Sequence, residues 1–354
     1  MQLHHLPHGG KAWYMTHLTY LEAAVVGLIQ GVSELFPVSS LGHNVLIPAL
    51  LGGSWASDLN VAKPESPYLA FIVGLHVATA IALLIYFWRD WVRIISGFFS
   101  SIGHFIQPAA GTTRWRLQSA EQKLAWMIII ATIPVGLVGL AFEHEFRVLF
   151  GKPVRAAVFL VINGLILLAG ELFRRKSSVQ ADQQIAQERE LVAVGGARRA
   201  GGARHASGHQ AERAVEHSHA IESDRRLALS GFTQAFIIGT AQILALLAGI
   251  SRDGVAMVAG MMRGLSREDA ARFAFLLATP VILAAGLLKV PDLIGPLGNG
   301  IRGQILVGSL LSGVGAYLSV RFLVRWFRTR TLTPFAIYCI VAGLASFAYL
   351  TFVK

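Results

Sequence analysis

Cysteine and charge are scarce in this sequence. The 354 residues include one cysteine, Cys339, which excludes an intramolecular disulfide. It lies in an apolar run and reads as an inert packing residue. Charged residues make up 14% of the chain, against about 25% in a soluble globular protein. A leader with an apolar core is also lacking: Met1–His17 is rich in histidine, and the first apolar run begins near Leu18. Membrane insertion is therefore expected to rest on internal spans.

Apolar residues fill that space. They make up 54% of the chain, and the mean hydropathy is +0.56. The apolar runs are too long and too continuous for barrel strands. An all-α polytopic membrane protein is the fold class this predicts, because only helices or closed barrels satisfy their backbone in lipid. Six full transmembrane helices are expected, over 68–87, 123–142, 156–173, 270–289, 304–324 and 334–353. Pro134 is expected to kink the second of them. Residues 92–122 read as amphipathic at first and then as loop. The polar stretch 174–226 holds ten Lys or Arg and seven Asp or Glu and has no apolar period. It is expected to be a disordered or partly helical loop. Its His205, His209, His217 and His219 read as solvated residues rather than metal ligands. The net charge of +11 fits positive-inside loops better than nucleic-acid binding.

Two apolar segments are interrupted. Residues 18–51 break at Pro37-Val-Ser-Ser-Leu-Gly42, and residues 227–262 break at Ala248-Gly-Ile-Ser-Arg-Asp-Gly254. Each half is short for the ~20 residues of a full crossing. A helix–break–helix of this kind suits a re-entrant hairpin whose irregular backbone lines a cavity. The two segments align without a gap: Gly27 falls on Gly239, Gln30 on Gln242, Ser39 on Ser251 and Gly42 on Gly254. Three spans lie between them, and an odd number inverts the second copy. If 88–123, 174–226, 263–272 and 321–330 are cytoplasmic, 22 of the 31 Lys and Arg lie inside. The long polar stretch dominates that count. The whole chain, 1–354, reads as one integral membrane domain.

The first break concentrates polar residues that are costly in lipid unless paired or facing a cavity. Gln30 and Glu34 share a helix face. Glu34 would ligate Mg²⁺ or Ca²⁺, act as a general base, or pair with Arg252. Ser39, Ser40 and His43 are the ingredients of an activated nucleophile, and the serines would also cap the short helix that follows. His76 is as well explained by packing as by ligation. In the second break, Arg252 offers a planar fork matched to phosphate oxygens, or a partner for Asp253. Helix N-termini at both breaks favour anions. The set implies phosphoryl chemistry, and leaves a phosphatase and a transporter or flippase of a phosphorylated lipid both open.

Gln30-Gly-Val-Ser-Glu34-Leu-Phe-Pro-Val-Ser39-Ser40-Leu-Gly-His43 resembles the signature of the undecaprenyl-diphosphate phosphatases of the bacitracin-resistance type. Phe87-Trp88-Arg89, Gly249-Ile-Ser251-Arg252 and Phe275-Leu-Leu-Ala-Thr-Pro280 add support, and the likeness covers nearly the whole chain apart from 174–226. The resemblance implies hydrolysis of undecaprenyl diphosphate at the outer face of the bacterial plasma membrane, recycling the lipid carrier for peptidoglycan synthesis and conferring bacitracin resistance. By the family pattern Glu34, Ser40, His43 and Arg252 would be catalytic, with the nucleophile open between Ser40 and His43. Ser39, Ser251, Arg252 and Gly254 would bind substrate. Gln30 and Glu34 would serve a divalent cation, Mg²⁺ or Ca²⁺. The expected partners are the polyprenyl diphosphate, the bilayer and, as a homodimer, a second copy of the chain. The second motif departs from the family's Pro-Gly-x-Ser-Arg-Ser-Gly-x-Thr at Ala248, Asp253 and Ala256, so Asp253 would either offset the charge of Arg252 or help to hold the cation.

Overall fold

The computed structural model describes residues 18–59, 67–106, 117, 119–150, 152–192, 208–294 and 300–354. The His-rich start lies outside them. The described residues form thirteen α-helices and no strand. In chain order these are α1 (Tyr20–Ser33), α2 (Ser40–Leu51), α3 (Gly53–Asp58), α4 (Pro67–Tyr86), α5 (Trp88–Ile106), α6 (Ala120–Phe150) and α7 (Pro153–Val192). They continue as α8 (Gly208–Leu229), α9 (Phe232–Ala241), α10 (Arg252–Met262), α11 (Arg267–Ile294), α12 (Arg302–Thr329) and α13 (Thr333–Phe352).

Five of the helices are long and apolar enough to cross a membrane, within Ala120–Phe142, Pro153–Arg175, Arg267–Leu288, Arg302–Thr329 and Thr333–Phe352. The count rises to seven if two bent pairs are each one span. One pair joins α4 to α5 at 84°, so the span expected at 68–87 is helical but runs directly into the amphipathic α5. The other joins α8 to α9 at 102°. The second interrupted segment therefore begins with a fresh helix at Phe232 rather than at Leu227, because Ser230 and Gly231 break the chain. Large apolar side chains such as Leu137, Leu310, Leu318 and Val341 face outward from α6, α12 and α13, as lipid contact requires. The polar stretch 174–226 carries helix at both ends: α7 runs on to Val192, and α8 starts at Gly208. Residues 193–207, with His205, lie outside the described part, as do the side chains of the other three histidines.

At 14 and 12 residues, α1 and α2 reach about 21 and 18 Å, well short of a ~30 Å hydrocarbon core. A capping box starts α1: Thr19 Oγ1 accepts from the Glu22 N–H, and the Glu22 carboxylate accepts from the Thr19 N–H at 2.8 Å. The break then turns the chain back. At the far end of α2, Ala49 O accepts from Lys354 Nζ, which follows α13. At the start of α1, Leu18 O accepts from Gln304 Nε2 on the first turn of α12. Both ends of this hairpin thus sit at one end of the bundle. In the second hairpin, Gln234 near the start of α9 donates to Arg263 O just past α10 at 2.8 Å, so its ends also lie together.

The first arm of each hairpin is held by close backbone approach. A Cβ on Gly27 of α1 would stand 2.8 Å from Gly308 Cα of α12, and one on Gly239 of α9 would stand 2.5 Å from Ala131 Cα of α6. Such contacts between small residues hold helices together in lipid, where burial gives no hydrophobic drive. At the opposite end of the bundle from Lys354, an ionic cluster ties α5, α8 and α11. Arg272 bonds Asp224 at 2.8 Å and Asp90 at 3.1 Å, and Arg93 bridges the same two carboxylates. Gly27→Val should cost about 1–3 kcal/mol through overpacking, read as a lower melting temperature in detergent. Gly136→Ala, where an added Cβ meets nothing within 4 Å, should leave it unchanged or slightly higher.

Candidate active site

The site begins where α1 ends. Glu34 is the residue that closes α1, and it is buried. Its Oε2 accepts from Gln30 Nε2, one turn earlier, at 2.8 Å, and also from the Ser40 hydroxyl. Gln30 Oε1 in turn accepts from Asn44 Nδ2 at 2.7 Å. After Pro37 the chain reverses at Ser39, the one non-glycine residue with positive φ (69°) among those described. A side chain in this region costs about 1–3 kcal/mol and persists where neighbours fix it. Here Ser39 Oγ accepts from the N–H of Gly42 and caps α2, which frees Ser40 Oγ for Glu34.

Ser251 repeats that cap for α10, its Oγ accepting from the Gly254 N–H at 3.1 Å. The two breaks touch. Ser39 Oγ also accepts from the Gly249 N–H at 3.2 Å. Gly249 has φ 113°, and a Cβ there would clash with α7. A Cβ on Gly42 would lie 2.8 Å from Gly249 Cα, and one on Gly254 would lie 3.3 Å from Pro37 Cβ. Asn163, fully buried on α7, joins both breaks: Nδ2 donates to Pro37 O and Oδ1 accepts from the Ser251 N–H, each at 3.0 Å.

This junction opens into a cavity of about 200 Å³. Glu34, Ser40, His76, Gln242, Ser251 and Arg252 line its polar side, while Val135, Leu246, Val281, Ile282 and Ala285 give it an apolar wall. Arg252 Nη2 reaches Glu34 Oε1 at 3.2 Å, and its Nε reaches Asp253 Oδ1 at 3.2 Å. His76 donates Nδ1–H to Ile72 O at 2.8 Å, since a carbonyl only accepts, and this aims Nε2 at Glu34 Oε2, 3.5 Å away. The N-terminal ends of α2 and α10 both start at this point, so their partial positive charges converge on it. An anion entering here would meet a guanidinium, hydroxyls and two helix ends.

Five sequence-expected residues therefore meet at the cavity: Glu34, Ser39, Ser40, Ser251 and Arg252. Three others take different places. His43 lies away from the cavity lining, its Nδ1–H donating to Ser39 O and its Nε2 bonded to the Tyr338 hydroxyl, both at 2.7 Å. It holds the reversed backbone of Ser39. Gln30 is fully buried, with its amide committed to Glu34 and Asn44, so it orients the carboxylate. Gly254 is buried beneath Pro37. Asp253 is buried and steadies Arg252 through Oδ1. Among the described residues no three or more His, Cys, Asp or Glu converge. Glu34 is the carboxylate at the cavity, and a single oxygen-donor side chain fits a hard cation shared with a substrate's phosphates, as Mg²⁺ commonly is, rather than a closed protein cage.

Asn163, Asn44 and Tyr338 were not singled out in the sequence. A polar amide inside the 156–173 span was the available signal for Asn163. Asn163→Ala should cost about 1–3 kcal/mol, because the Ser251 N–H would be left unpaired and Pro37 O would keep only the weak Cys339 thiol donor in an apolar interior. A melting temperature equal to the parent's would contradict that role.

The chain is similar to known proteins over most of its length. The family profile described as "BacA: Bacitracin resistance protein BacA" matches residues 23–345. An undecaprenyl-diphosphatase of Mycolicibacterium paratuberculosis is 56% identical over 335 residues, covering 94% of this chain and 98% of the relative. Undecaprenyl-diphosphatase 2 of Frankia alni is 52% identical, covering 93% and 97%. Undecaprenyl-diphosphatase 2 of Chromobacterium violaceum is 38% identical, covering 93% and 98%.

Proposed function

This chain belongs to the BacA family of bacitracin resistance proteins, and from that membership we infer that it is a multi-pass bacterial membrane enzyme that hydrolyses undecaprenyl diphosphate to undecaprenyl phosphate and inorganic phosphate. The reaction recycles the lipid carrier for peptidoglycan synthesis and lowers sensitivity to bacitracin. One observation carries the reading: the cavity is amphiphilic in the same sense as the substrate. Arg252, the serines and the helix ends suit a diphosphate, and the Val135, Val281 and Ile282 wall suits a polyprenyl chain.

The hydrogen bond from Ser40 to Glu34 supports Ser40 as nucleophile and Glu34 as its base. Attack by Ser40 Oγ on the terminal phosphorus forms an O–P bond and breaks the anhydride P–O bond. The hydroxyl proton passes through Glu34 and His76 to the departing undecaprenyl phosphate. Water then cleaves the serine phosphoester, releasing phosphate and returning a proton to Oγ. Arg252 leaves Glu34 for the more highly charged diphosphate and balances the charge on its equatorial oxygens. Glu34 would hold a divalent cation, Mg²⁺ or Ca²⁺, and the chemistry that cation would supply is neutralisation of part of the diphosphate's charge.

The same reading makes the two broken segments re-entrant hairpins in an inverted repeat, beside six full spans. The exchange of partners supports it: α1 packs on α12, while its counterpart α9 packs on α6. The cavity would open to the outer face. Support comes from the basic residues Arg89, Arg93, Arg263, Arg267 and Arg328, which flank helix ends on the side away from the first hairpin's open end, as the positive-inside rule asks of a cytoplasmic face.

Purified protein should release phosphate from a farnesyl diphosphate. Glu34→Ala, Ser40→Ala and Arg252→Ala should each lower kcat/KM by about 10²–10³ or more. His43→Ala should lower stability together with rate, since His43 acts through the Ser39 backbone. Absence of phosphate release by the parent protein across Mg²⁺ and Ca²⁺ concentrations would refute the enzyme reading and leave lipid transport as its successor.

A further inference from the structure

Gln242 carries an inference that the mechanism above does not use. It is 1% exposed, lines the cavity, and neither its Nε2 nor its Oε1 has a hydrogen-bond partner. A buried amide with both ends empty is rare in a folded protein and calls for a missing partner. The repeat explains how the ends came to be empty. Gln242 is the counterpart of Gln30, whose two ends are filled by Glu34 and Asn44. At the same spacing of 212 residues, the places of Glu34 and Asn44 are taken by Leu246 and Ala256. The second hairpin has thus kept the amide and lost both groups that would satisfy it. Its backbone differs as well: residues Gln242–Leu246 form a 3-10 turn where the first hairpin remains α-helical.

We propose that Gln242 is a substrate-binding residue, its Nε2 donating to a non-bridging oxygen of the diphosphate and its Oε1 accepting from the water that the hydrolysis consumes. The proposal deepens the reading of this cavity as a lipid diphosphate site and rests on it. The two equivalent glutamines then have divided roles: Gln30 fixes the carboxylate and never meets substrate, while Gln242 meets substrate and fixes nothing. A donor to an anionic oxygen is among the stronger hydrogen bonds, so its loss should be felt in binding.

Gln242→Leu keeps the volume and removes both polar ends. Gln242→Glu keeps the shape, replaces the donor with an acceptor and adds negative charge. The dissociation constant is measured for a non-hydrolysable methylene-bridged farnesyl diphosphonate, alongside the melting temperature of each substrate-free protein. Binding should weaken about tenfold or more in Gln242→Leu and further in Gln242→Glu. The Leu variant should melt at or above the parent, because it deletes unsatisfied groups. Dissociation constants within twofold of the parent in both variants would overturn the proposal, whatever the melting temperatures. If the Leu variant does not fold, Gln242→Glu and Gln242→Asn decide by the same criterion. A parent protein that binds the diphosphonate yet releases no phosphate would refute the hydrolase, while the variants would still report on Gln242.

Discussion

An apolar helix bundle tolerates a broken helix only where protein satisfies the freed backbone groups, since lipid offers no partner and each unpaired group costs several kcal/mol. The breaks after Phe36 and Leu247 answer this by satisfying each other. Ser39 caps its own helix and also accepts from Gly249 of the opposite break. Asn163 takes a carbonyl from one break and an N–H from the other. Neither loop keeps its shape alone. The positive φ of Ser39 and the glycines that let the loops touch follow from that mutual dependence.

The same junction concentrates chemistry. Two helices start at it, so their positive ends converge, and the polar side chains that the breaks require point into one cavity. Each half starts a helix under a serine cap, and the halves are unequal in side chains. The first supplies Ser40 and Glu34, and the second supplies Arg252 at the position matching Ser40. In the proposed reaction one copy would carry nucleophile and base while the other would carry charge. Asp253, which departs from the family's serine, is turned toward Arg252 and steadies the guanidinium beside Glu34 instead of facing the cavity. An enzyme that opens a lipid anhydride at a membrane surface needs this pairing of polar grip and apolar wall in a small space.

Much of this was legible in the sequence because lipid makes polarity conspicuous. Five of the six expected spans meet the length and composition of a crossing, and the sixth is helical but bends into α5. Both breaks lie where Pro37 and Gly249 interrupt apolar runs, and the alignment of the two segments placed Ser39 and Ser251 as matching caps. What escaped was direction. His43 lies three residues past Ser40, close enough in sequence to suggest a serine–histidine pair, yet the helix beginning at Ser40 turns it toward Tyr338. His76, on another helix, points at Glu34 instead. The family resemblance implied a cation role for Gln30 with Glu34, whereas one turn of helix lets Gln30 bond that carboxylate directly. Of the two alternatives expected for 174–226, its described ends take the helical one, with α7 continuing to Val192 and α8 starting at Gly208.

The central claim is that side chains from two hairpins, far apart in sequence, act on one phosphoryl group. A double-mutant cycle on kcat/KM between Ser40→Ala and Arg252→Lys tests it most directly. Residues that act as a unit are strongly non-additive, so the double variant should be little worse than the poorer single one. Losses that simply add would contradict the account.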